Sequence, residues 1–366
     1  MIAFIRATYS KTDGRIQNHV SACRRLGCEY LVIDWPRTKV EQEAAITAKD
    51  RNTTSFTWVK SSYGNLRLSM VGRIGFLFYA FYQLLRMSKV PSRIVLADVD
   101  TAVLIPFLRP FISSEMVFDI YDHYSIVYKG RSRIIPFLEN SISKKADTVV
   151  ICAEWRRSHL VEGLRKLPII IENMPICFDQ NSYLGRHKII HQKIRLIYIG
   201  VLQKEFRGLE DLYDAVCNTD ADIELIIGGF GPLADLFSKS DCKKIKFIGQ
   251  VAHKDVDKLS ADADIIVALY YTKNAFHHKF AAPNKYYDHM RLGKAIITND
   301  GTSISSIIKI NNTGYIVDEN SESISCLLKS IKRDEVAVKS QNAKTSWRYY
   351  QENNLMAYKT LFGAKE

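Results

Sequence analysis

Short apolar segments alternate with helical segments along most of the sequence. In the first half, this alternation predicts strands at Ile2–Ala7, Tyr30–Ile33, Ile94–Ala97, Met116–Ile120, Thr148–Ile151 and Ile169–Glu172. In the second half it predicts strands at Ile194–Ile199, Ile223–Ile227, Lys246–Ile248, Ile265–Leu269, Ala295–Thr298 and Gly314–Val317. The predicted helices include Ile16–Leu26, Leu66–Leu85, Leu209–Val216, Leu233–Ser238, His253–Ser260, Asn284–Leu292, Ser321–Lys332 and Trp347–Phe362. Such alternation is typical of α/β proteins, in which helices cover both faces of a parallel sheet.

The chain is long for a single hydrophobic core, because 366 residues exceed the usual size of one domain. The segment from Phe178 to Gln192 is polar and shows no clear period, so we interpret it as the linker or a loop beside it. We predict a first domain at residues 1–180, a second at residues 193–345, and a terminal helix within residues 346–366 that could pack back on the first domain. Two α/β halves also predict a cleft between them, the usual location of a ligand site.

The segment from Ala282 to Ile297 is the most informative part of the sequence. Pro283 suits the first position of a helix, and Gly293 suits the left-handed residue just past its end. The start of such a helix offers free N–H groups and a positive dipole end to an anion such as a diphosphate. Lys285 places a cation in this first turn, where a bound anion would explain it, and Asp288 follows where a carboxylate can accept hydrogen bonds from sugar hydroxyls. This layout predicts a nucleotide-sugar site at the carboxyl edge of an α/β sheet.

Two glycine-containing loops follow predicted strands of the second half. The first runs from Gly200 to Leu209 and contains Lys204 and Arg207, which can neutralise phosphate charge. The second, Gly228-Gly229-Phe230-Gly231-Pro232, permits positive φ and close approach to a base or ribose. Taken alone, the first could be a surface loop with solvated charges, and the second a tight turn. Neither has the G-x-G-x-x-G fingerprint, so they do not indicate a nicotinamide cofactor.

The order of these elements makes the pattern more specific. The chain shows Gly200…Lys204…Arg207-Gly208, Gly229-Phe230-Gly231-Pro232, Phe247-Ile248-Gly249, Asp262-Ala263-Asp264 and Pro283-Asn284-Lys285…Asp288…Gly293-Lys294 in succession. In these motifs it resembles the GT-B glycosyltransferases, in particular the group 1, family 4-like class that builds bacterial surface polysaccharides. The resemblance implies the GT-B fold, in which two Rossmann-like, doubly wound parallel-sheet domains face each other across a cleft. It is sharp only from about Ile194 to Asp300.

The resemblance also implies which residues bind the donor. They are Gly200, Lys204, Arg207, Gly208, Gly229, Gly231, Pro283, Asn284, Lys285 and Asp288. Among them, Lys204, Arg207 and Lys285 would hold the diphosphate, and Asp288 would hold ribose or sugar hydroxyls. No metal or other cofactor is implied, because the nucleotide diphosphate sugar is a co-substrate.

The sequence departs from this family at two positions. Many retaining members have two Glu residues in this region, and this chain has Phe280 in place of the first and Asp288 in place of the second. The frequent Gly-Arg pair after the first strand is Gly200-Val201 here. Neutralisation of phosphate would therefore fall on Lys204, Arg207 and Lys285.

In the first half, the resemblance implies contacts with the acceptor. Asp13, Gly14 and Arg15 form a predicted turn at the position of the family's glycine loop. Beyond a later strand, Asp122 or His123 could serve as the base of an inverting enzyme, whereas His123 would mainly position the sugar in a retaining one. The alternative is that these two residues cap the next helix or satisfy buried groups. For Asp98 and Asp100, which follow another strand, we expect helix capping.

The composition favours an anionic partner. The net charge is +12 and the isoelectric point is about 9.2, which suits a nucleotide diphosphate, an anionic membrane surface or a nucleic acid. The sequence has no zinc-finger, RRM or KH pattern, so we do not expect nucleic acid. The seven cysteines form no C-x-x-C pair and fit structural thiols in a reducing cytoplasm.

The segment Leu66–Leu85 comes nearest to a membrane span. Arg67 and Arg73 divide it, and its uninterrupted apolar part is too short to cross a bilayer. It could form a core helix, or a helix that lies in the membrane interface with its basic residues toward lipid headgroups. Because the N-terminus shows no signal-peptide pattern, we expect a cytoplasmic protein.

Together these features predict a glycosyltransferase that moves a sugar from a nucleotide diphosphate sugar to a glycan acceptor. We expect the acceptor to be lipid-linked or an oligosaccharide, in bacterial polysaccharide or lipopolysaccharide biosynthesis. The enzyme would be peripheral at the inner face of the cytoplasmic membrane. Two alternatives stay open: a nucleotide-sugar epimerase of the same fold, and a non-catalytic membrane-associated scaffold, which the missing first carboxylate would suit.

Overall fold

The computed structural model describes residues 1–48, 50–61, 66–127, 132–176, 192–273 and 275–363, without the side chains of residues 66–68 and 253. The chain divides into two compact units. The first unit comprises Met1–Phe178 and Glu352–Glu366, and the second comprises Asp179–Gln351. Most of the predicted linker lies outside the described residues. Six cysteines lie within them, and all six are free thiols.

The first unit contains a parallel sheet of seven strands in the order β3-β2-β1-β4-β5-β6-β7. Its strands are β1 (Ile2–Arg6), β2 (Tyr30–Asp34), β3 (Thr53–Ser55), β4 (Arg93–Ala97), β5 (Glu115–Ile120), β6 (Thr148–Ile151) and β7 (Ile169–Ile170). Ile2 and Phe4 enter the core on one face of the sheet, whereas Ala3 and Ile5 enter the core on the other. Burial on both faces explains why these strands are apolar throughout.

The first unit's helices are α1 (Gly14–Arg25), α2 (Lys39–Ala48), α3 (Leu66–Leu85), α4 (Asp98–Ala102), α5 (Ile105–Leu108), α6 (Tyr124–Val127) and α7 (Ile134–Lys145). Two short 3-10 helices, Ser10–Thr12 and Glu154–His159, complete this part. Helix α3 has the predicted bounds. No helix in the described ranges is both long enough and apolar enough to cross a membrane.

The second unit contains a parallel sheet of six strands in the order β10-β9-β8-β11-β12-β13. Its strands are β8 (Ile194–Val201), β9 (Ile223–Phe230), β10 (Ile245–Phe247), β11 (Ile265–Val267), β12 (Ala295–Asn299) and β13 (Gly314–Val317). Its helices are α8 (Leu209–Asn218), α9 (Ala234–Ser238), α10 (His253–Asp262), α11 (Asn284–Leu292), α12 (Ser303–Asn311) and α13 (Ser321–Ser330), with a 3-10 helix at Phe276–Phe280. These two sheets confirm the predicted doubly wound architecture.

The strand orders locate one reversal of winding in each sheet. In the first sheet the chain changes direction between β1 and β4, and in the second between β8 and β11. Ligands of doubly wound proteins bind at the carboxyl ends of the strands beside such a switch point. We therefore expect a site at the carboxyl ends of β1 and β4 in the first sheet, or of β8 and β11 in the second.

The last helix, α14 (Arg333–Phe362), is longer than predicted, since we expected it to begin at Trp347. Its residues up to Gln351 belong to the second unit, and those from Glu352 belong to the first. Near its end, Tyr358, Leu361 and Phe362 are buried in the core of the first unit. This end of the chain is therefore an integral part of the first unit.

Three local predictions are corrected. Gly228 to Phe230 lie in β9 rather than in a turn, because the strand continues beyond its apolar part. Gly14 and Arg15 are the first residues of α1, with Asp13 as its N-cap, rather than parts of a turn. The strand predicted at Ile169–Glu172 is limited to two residues.

Candidate functional site

Helix α11 has the predicted bounds, Asn284–Leu292, but the role of Pro283 differs from the predicted one. Pro283 is the N-cap rather than the first helical residue, since its backbone is extended (φ −77°, ψ 144°). Gly293 ends the helix in the left-handed conformation (φ 61°), and its N–H donates to carbonyls of the last turn. Asn284 and Lys285 therefore occupy the first turn, at the positive end of the helix dipole.

The side chain of Lys285 reaches the carboxyl end of β8. Its Nζ lies 4.4 Å from the centroid of the Tyr198 ring. A Cβ added to Gly200 would come 2.9 Å from this Nζ, so a larger residue there would displace the amine. Burial, together with the nearby charge of Arg207, lowers the pKa of Lys285 from 10.5 to about 8, although Asp288 opposes this shift.

Arg207 brings a second cation to this edge. It lies in the loop after β8, and its guanidinium carbon is 4.5 Å from the centroid of the Tyr270 ring. The loop turns at Gly208, whose φ is 56° and whose added Cβ would lie 2.5 Å from the Tyr271 ring. Glycine at this position therefore lets the loop pack closely against the segment that follows β11.

Neither cation is neutralised within the described part of the chain. No carboxylate there lies within ion-pair distance of Lys285 or Arg207. Two like charges in a partly buried place raise the free energy of the empty site, because they repel each other and have lost part of their water. A bound anion would relieve both costs, and the N-terminus of α11 adds the positive end of the helix dipole. The arrangement suits a diphosphate.

Asp288 is held in place by an ion-pair chain. Its Oδ1 lies 3.0 Å from a guanidinium nitrogen of Arg291, which also contacts both carboxylate oxygens of Asp257 at 2.6 and 2.9 Å. Burial raises the pKa of Asp288, although Arg291 opposes this shift. Asp288 thus has a fixed orientation one turn from Lys285, and its contact with sugar hydroxyls stays a prediction.

The glycines at the end of β9 serve the close packing of β8. Gly229 has a φ of 143°, and an added Cβ would lie 1.8 Å from the carbonyl oxygen of Gly200. Gly231 has a φ of 138°, and an added Cβ would lie 2.7 Å from the carbonyl oxygen of Leu202. Their predicted contact with a nucleoside stays a prediction, as does that of the exposed Lys204 with phosphate.

Two residues at this edge were not predicted. His278 is buried, its Nδ1 lies 2.9 Å from the carbonyl oxygen of Tyr271, and burial lowers its pKa to about 4. Glu319 accepts hydrogen bonds from the N–H and O–H of Thr272 and from Nδ2 of Asn299. A neutral imidazole and a carboxylate thus fix the segment after β11. The adjacent histidines before Pro283 were a signal for the first, whereas Glu319 carries no local signal.

In the first unit, the two residues predicted to be catalytic have different surroundings. The side chain of Asp122 is 69% exposed and lies 3.4 Å from Arg156. His123 is buried, with Nδ1 3.4 Å from Oε1 of Glu139, whose other oxygen accepts from the N–H of Tyr124 at 2.6 Å. Among the described residues, Nε2 of His123 has no hydrogen-bond partner. Glu139 therefore orients the imidazole, and both catalytic roles stay predictions.

The three predicted acceptor residues lie at the start of α1. Asp13 caps the helix by accepting hydrogen bonds from N–H groups of its first turn, and the space beside Gly14 is open. The guanidinium of Arg15 is buried, donates to both carboxylate oxygens of Asp119, and donates to the carbonyl of Ile171. Because these contacts occupy its guanidinium inside the fold, we no longer retain Arg15 as an acceptor contact. Asp13 and Gly14 stay predictions.

A further polar cluster lies at the switch point of the first sheet. Arg6 ends β1 and contacts Asp13 and Asp98, and the other oxygen of Asp98 accepts from the N–H of Tyr121. Asp98 has a φ of 60° and makes no capping bond, which corrects our expectation of a helix cap. Burial raises its pKa to about 6, although Arg6 opposes this. Among the described residues, no group of three or more His, Cys, Asp or Glu side chains could hold a metal ion.

Comparison with known proteins assigns this arrangement to a family. Residues 193–332 match the family model described as glycosyl transferases group 1. The match begins one residue before β8 and includes Lys204, Arg207, Lys285 and Asp288. The second unit of the chain thus contains a domain that matches the group 1 glycosyl transferases. None of the curated proteins matches the chain in sequence.

Solved structures resemble the chain along its whole length. HepE of Anabaena, in complex with UDP, aligns with a TM-score of 0.72 and 12% identity, and 99% of each chain is covered. Sucrose-phosphate synthase from Thermosynechococcus elongatus has a TM-score of 0.70 and 13% identity, with 100% of this chain and 99% of the other covered. WaaG, a glycosyltransferase involved in lipopolysaccharide biosynthesis, has a TM-score of 0.65 and 12% identity, with coverages of 99% and 100%. These likenesses confirm the predicted GT-B fold.

Phe280, which stands where many family members have the first carboxylate, lies beside another aromatic ring. Phe280 ends the 3-10 helix before Pro283, and its ring centroid lies 5.7 Å from that of Phe276. The amine of Lys279 lies 5.8 Å from the same ring. Phe280 thus has an aromatic and a cationic neighbour, and the correspondence of Asp288 to a family carboxylate stays a prediction.

Proposed function

We propose that the protein is a glycosyltransferase that takes its sugar from a nucleotide diphosphate sugar and transfers it to a lipid-linked glycan acceptor. The reaction would belong to bacterial polysaccharide or lipopolysaccharide biosynthesis, at the inner face of the cytoplasmic membrane. The observation that best supports a nucleotide diphosphate donor is the pair of cations, Lys285 and Arg207, beside the first turn of α11. HepE has been solved with UDP and with UDP-glucose, and it shares the fold. WaaG and the lipopolysaccharide outer core galactosyltransferase WaaB support the class of acceptor.

The proposed chemistry depends on stabilising the leaving group. Transfer breaks the bond between the anomeric carbon and the diphosphate, and negative charge accumulates on the diphosphate oxygens. Lys285, Arg207 and the positive end of the α11 dipole are already in place to stabilise this charge, and fixed groups need no reorganisation during the reaction. Asp288, which Arg291 orients, would accept hydrogen bonds from the ribose or the sugar. In this proposal the two cations supply the charge that a metal ion would otherwise provide.

The donor site is tested by Lys285→Ala. Loss of a hydrogen bond between a charged amine and a diphosphate typically costs about 1.5–3 kcal/mol, so UDP should bind roughly tenfold to a hundredfold more weakly. Isothermal titration calorimetry measures this, and a matched variant, Lys239→Ala, replaces a lysine whose side chain is 75% exposed on α9's C-cap. Equal UDP affinity in the Lys285→Ala variant and the wild type would contradict the donor site.

The reaction is tested by incubation with a nucleotide sugar, with and without a lipid-linked oligosaccharide. The expected result is sugar transfer only when the acceptor is present. Isomerised nucleotide sugar in the absence of acceptor would instead show an epimerase. A thermal-shift screen in which no nucleotide or nucleotide sugar raises the melting temperature would favour the non-catalytic scaffold.

A further inference from the structure

Helix α3 presents an apolar row to solvent. Its inner side packs into the core of the first unit through Phe76, Ala80 and Leu84. Its outer side carries four side chains that recur every four residues and are between 50% and 72% exposed: Met70, Ile74, Phe78 and Tyr82. We call these four residues the α3 stripe. A continuous row of this kind is uncommon on a soluble monomer and indicates an interaction surface.

Exposed aromatic residues extend the α3 stripe. Trp58 is 81% exposed, and its ring centroid lies 5.9 Å from that of Tyr79 in α3. Phe111, which follows α5, is 66% exposed, and its ring centroid lies 5.8 Å from that of Phe81 in α3. The α3 stripe, Trp58 and Phe111 together form what we call the α3 surface.

The segment of the sequence that contains α3 is basic. Between Asp50 and Asp98 there is no acidic residue, whereas seven basic residues occur there: Arg51, Lys60, Arg67, Arg73, Arg86, Lys89 and Arg93. Three of them pair with carboxylates of other segments: Arg73 with Asp100, Lys89 with Glu29 and Arg93 with Glu115. Arg86 donates a hydrogen bond to the hydroxyl of Tyr82 at 2.8 Å and contacts no carboxylate in the described part of the chain. The α3 stripe therefore has a cation attached to its C-terminal end.

We propose that the α3 surface binds an anionic membrane, with α3 lying in the plane of the interface. Apolar side chains on one face of a helix, flanked by Arg and Lys and accompanied by Trp and Tyr, are the features that interfacial helices share. Basic residues near a membrane surface also attract anionic lipid headgroups. A symmetric dimer through the same surface would bring identical cations together, so charge disfavours a second copy as the occupant. This inference does not rest on the transfer reaction, because the surface and the donor site lie in different units.

The membrane proposal is tested by vesicle flotation. The wild-type protein should float with vesicles of phosphatidylcholine and phosphatidylglycerol, and less with phosphatidylcholine alone or at high salt. The double variant Ile74→Glu/Phe78→Glu should lose at least about tenfold in membrane partition, because each side chain contributes the free energy of burying its apolar surface. The matched control is Ile310→Glu, which changes an 81% exposed isoleucine on α12 and should bind like the wild type.

A spectroscopic measurement reports contact at the same surface. Trp58 fluorescence should shift to shorter wavelength when anionic vesicles are added, and Trp58→Phe should remove this shift while UDP binding stays unchanged. Flotation that is absent, or equal for the wild type and the Ile74→Glu/Phe78→Glu variant, would overturn the proposal. So would a dimer in solution that this double variant converts to a monomer, since a second copy would then occupy the surface. UDP titration of the double variant separates these outcomes from a failure of the donor site.

Discussion

At the scale of single residues, the site depends on a lysine in surroundings that disfavour its charge. Lys285 is partly buried against Tyr198, and Arg207 adds a second positive charge nearby. The position of Lys285 in the first turn follows from the sequence, because Pro283 and Gly293 mark the ends of α11. Its lowered pKa does not follow, since Tyr198 and Arg207 belong to a segment far away along the chain.

We expect UDP binding to weaken as the pH rises through about 8. Below this pH the Lys285 amine is charged in the free protein and attracts the diphosphate, whereas above it binding must first add a proton. Calorimetry in buffers of different ionisation enthalpy should show proton uptake in this range. Lys285→Met should bind weakly with little dependence on pH there, and a wild-type affinity that stays constant through this range would contradict the prediction.

The lowered pKa of Lys285 also affects the stability of the protein without a ligand, and this effect has the opposite dependence on pH. The folded pKa of about 8 lies below the ordinary value of 10.5, so the unfolded chain binds more protons between these values. The contribution of Lys285 to stability therefore rises with pH across this window, while the affinity for UDP falls.

The other residues at the carboxyl ends of the two sheets differ in whether local sequence motifs could predict them. Gly200, Arg207 and Gly208 were assigned to one site because the order of motifs resembled a family, and the structure places them near Lys285 or the segment after β11. Glu319 and the contact between Arg6 and Asp98 were missed, because each joins segments distant in sequence, whereas His278 was missed although its partner Tyr271 is only seven residues away. The contact of Arg15 in α1 was missed because its partner Asp119 lies on β5, far away along the chain.

At the scale of elements, prediction succeeded where both ends of a segment carry a signal. Asn284–Leu292, Leu66–Leu85 and Gly314–Val317 have the predicted bounds. Strand β3 was missed because it is short and polar, and α12 because its Ile-rich sequence also suits a strand. The glycines of β9 were assigned to a turn because a glycine in a strand ordinarily weakens it. In β9, glycine is needed at position 229 because a side chain there would clash with the backbone of Gly200 in β8.

Substitutions at Gly229 and Gly200 should have different effects: the first should lower the stability of the second unit, and the second should weaken UDP binding. Gly229→Ala places a Cβ against the backbone oxygen of Gly200, at a φ of 143°, and should destabilise the second unit by roughly 2 kcal/mol or more. Gly200→Ala meets only the flexible end of Lys285, so it should weaken UDP binding with a small change in melting temperature. Calorimetry and thermal unfolding measure both quantities, and the reverse pattern would contradict this division.

At the scale of the whole molecule, the first unit is assembled from both ends of the chain. Tyr358, Leu361 and Phe362 of α14 pack with Ile2 and Phe4. The hydroxyl of Tyr358 also lies 2.9 Å from Nδ1 of His19, whose Nε2 lies 2.7 Å from Asp119. The sequence predicted a terminal aromatic helix, whereas its partners are set by the three-dimensional fold.

A chain that ends at Gln351 should therefore lose stability in the first unit. It lacks three large side chains of that core, each of which ordinarily contributes about 2–5 kcal/mol when truncated. Differential scanning calorimetry should show a lower transition temperature for the first unit, and a chain that ends at Gly363 serves as the control. Equal transitions in the two truncated chains would contradict the prediction.

The shared helix also sets the order in which the protein can be completed during synthesis. A ribosome releases the segments of the second sheet before it has translated Tyr358 and Phe362, so the first unit is completed after the second sheet has emerged. Until these two residues emerge, part of the apolar surface around Ile2, Phe4 and Ile16 stays uncovered, and nascent chains at this stage should be the ones that chaperones bind.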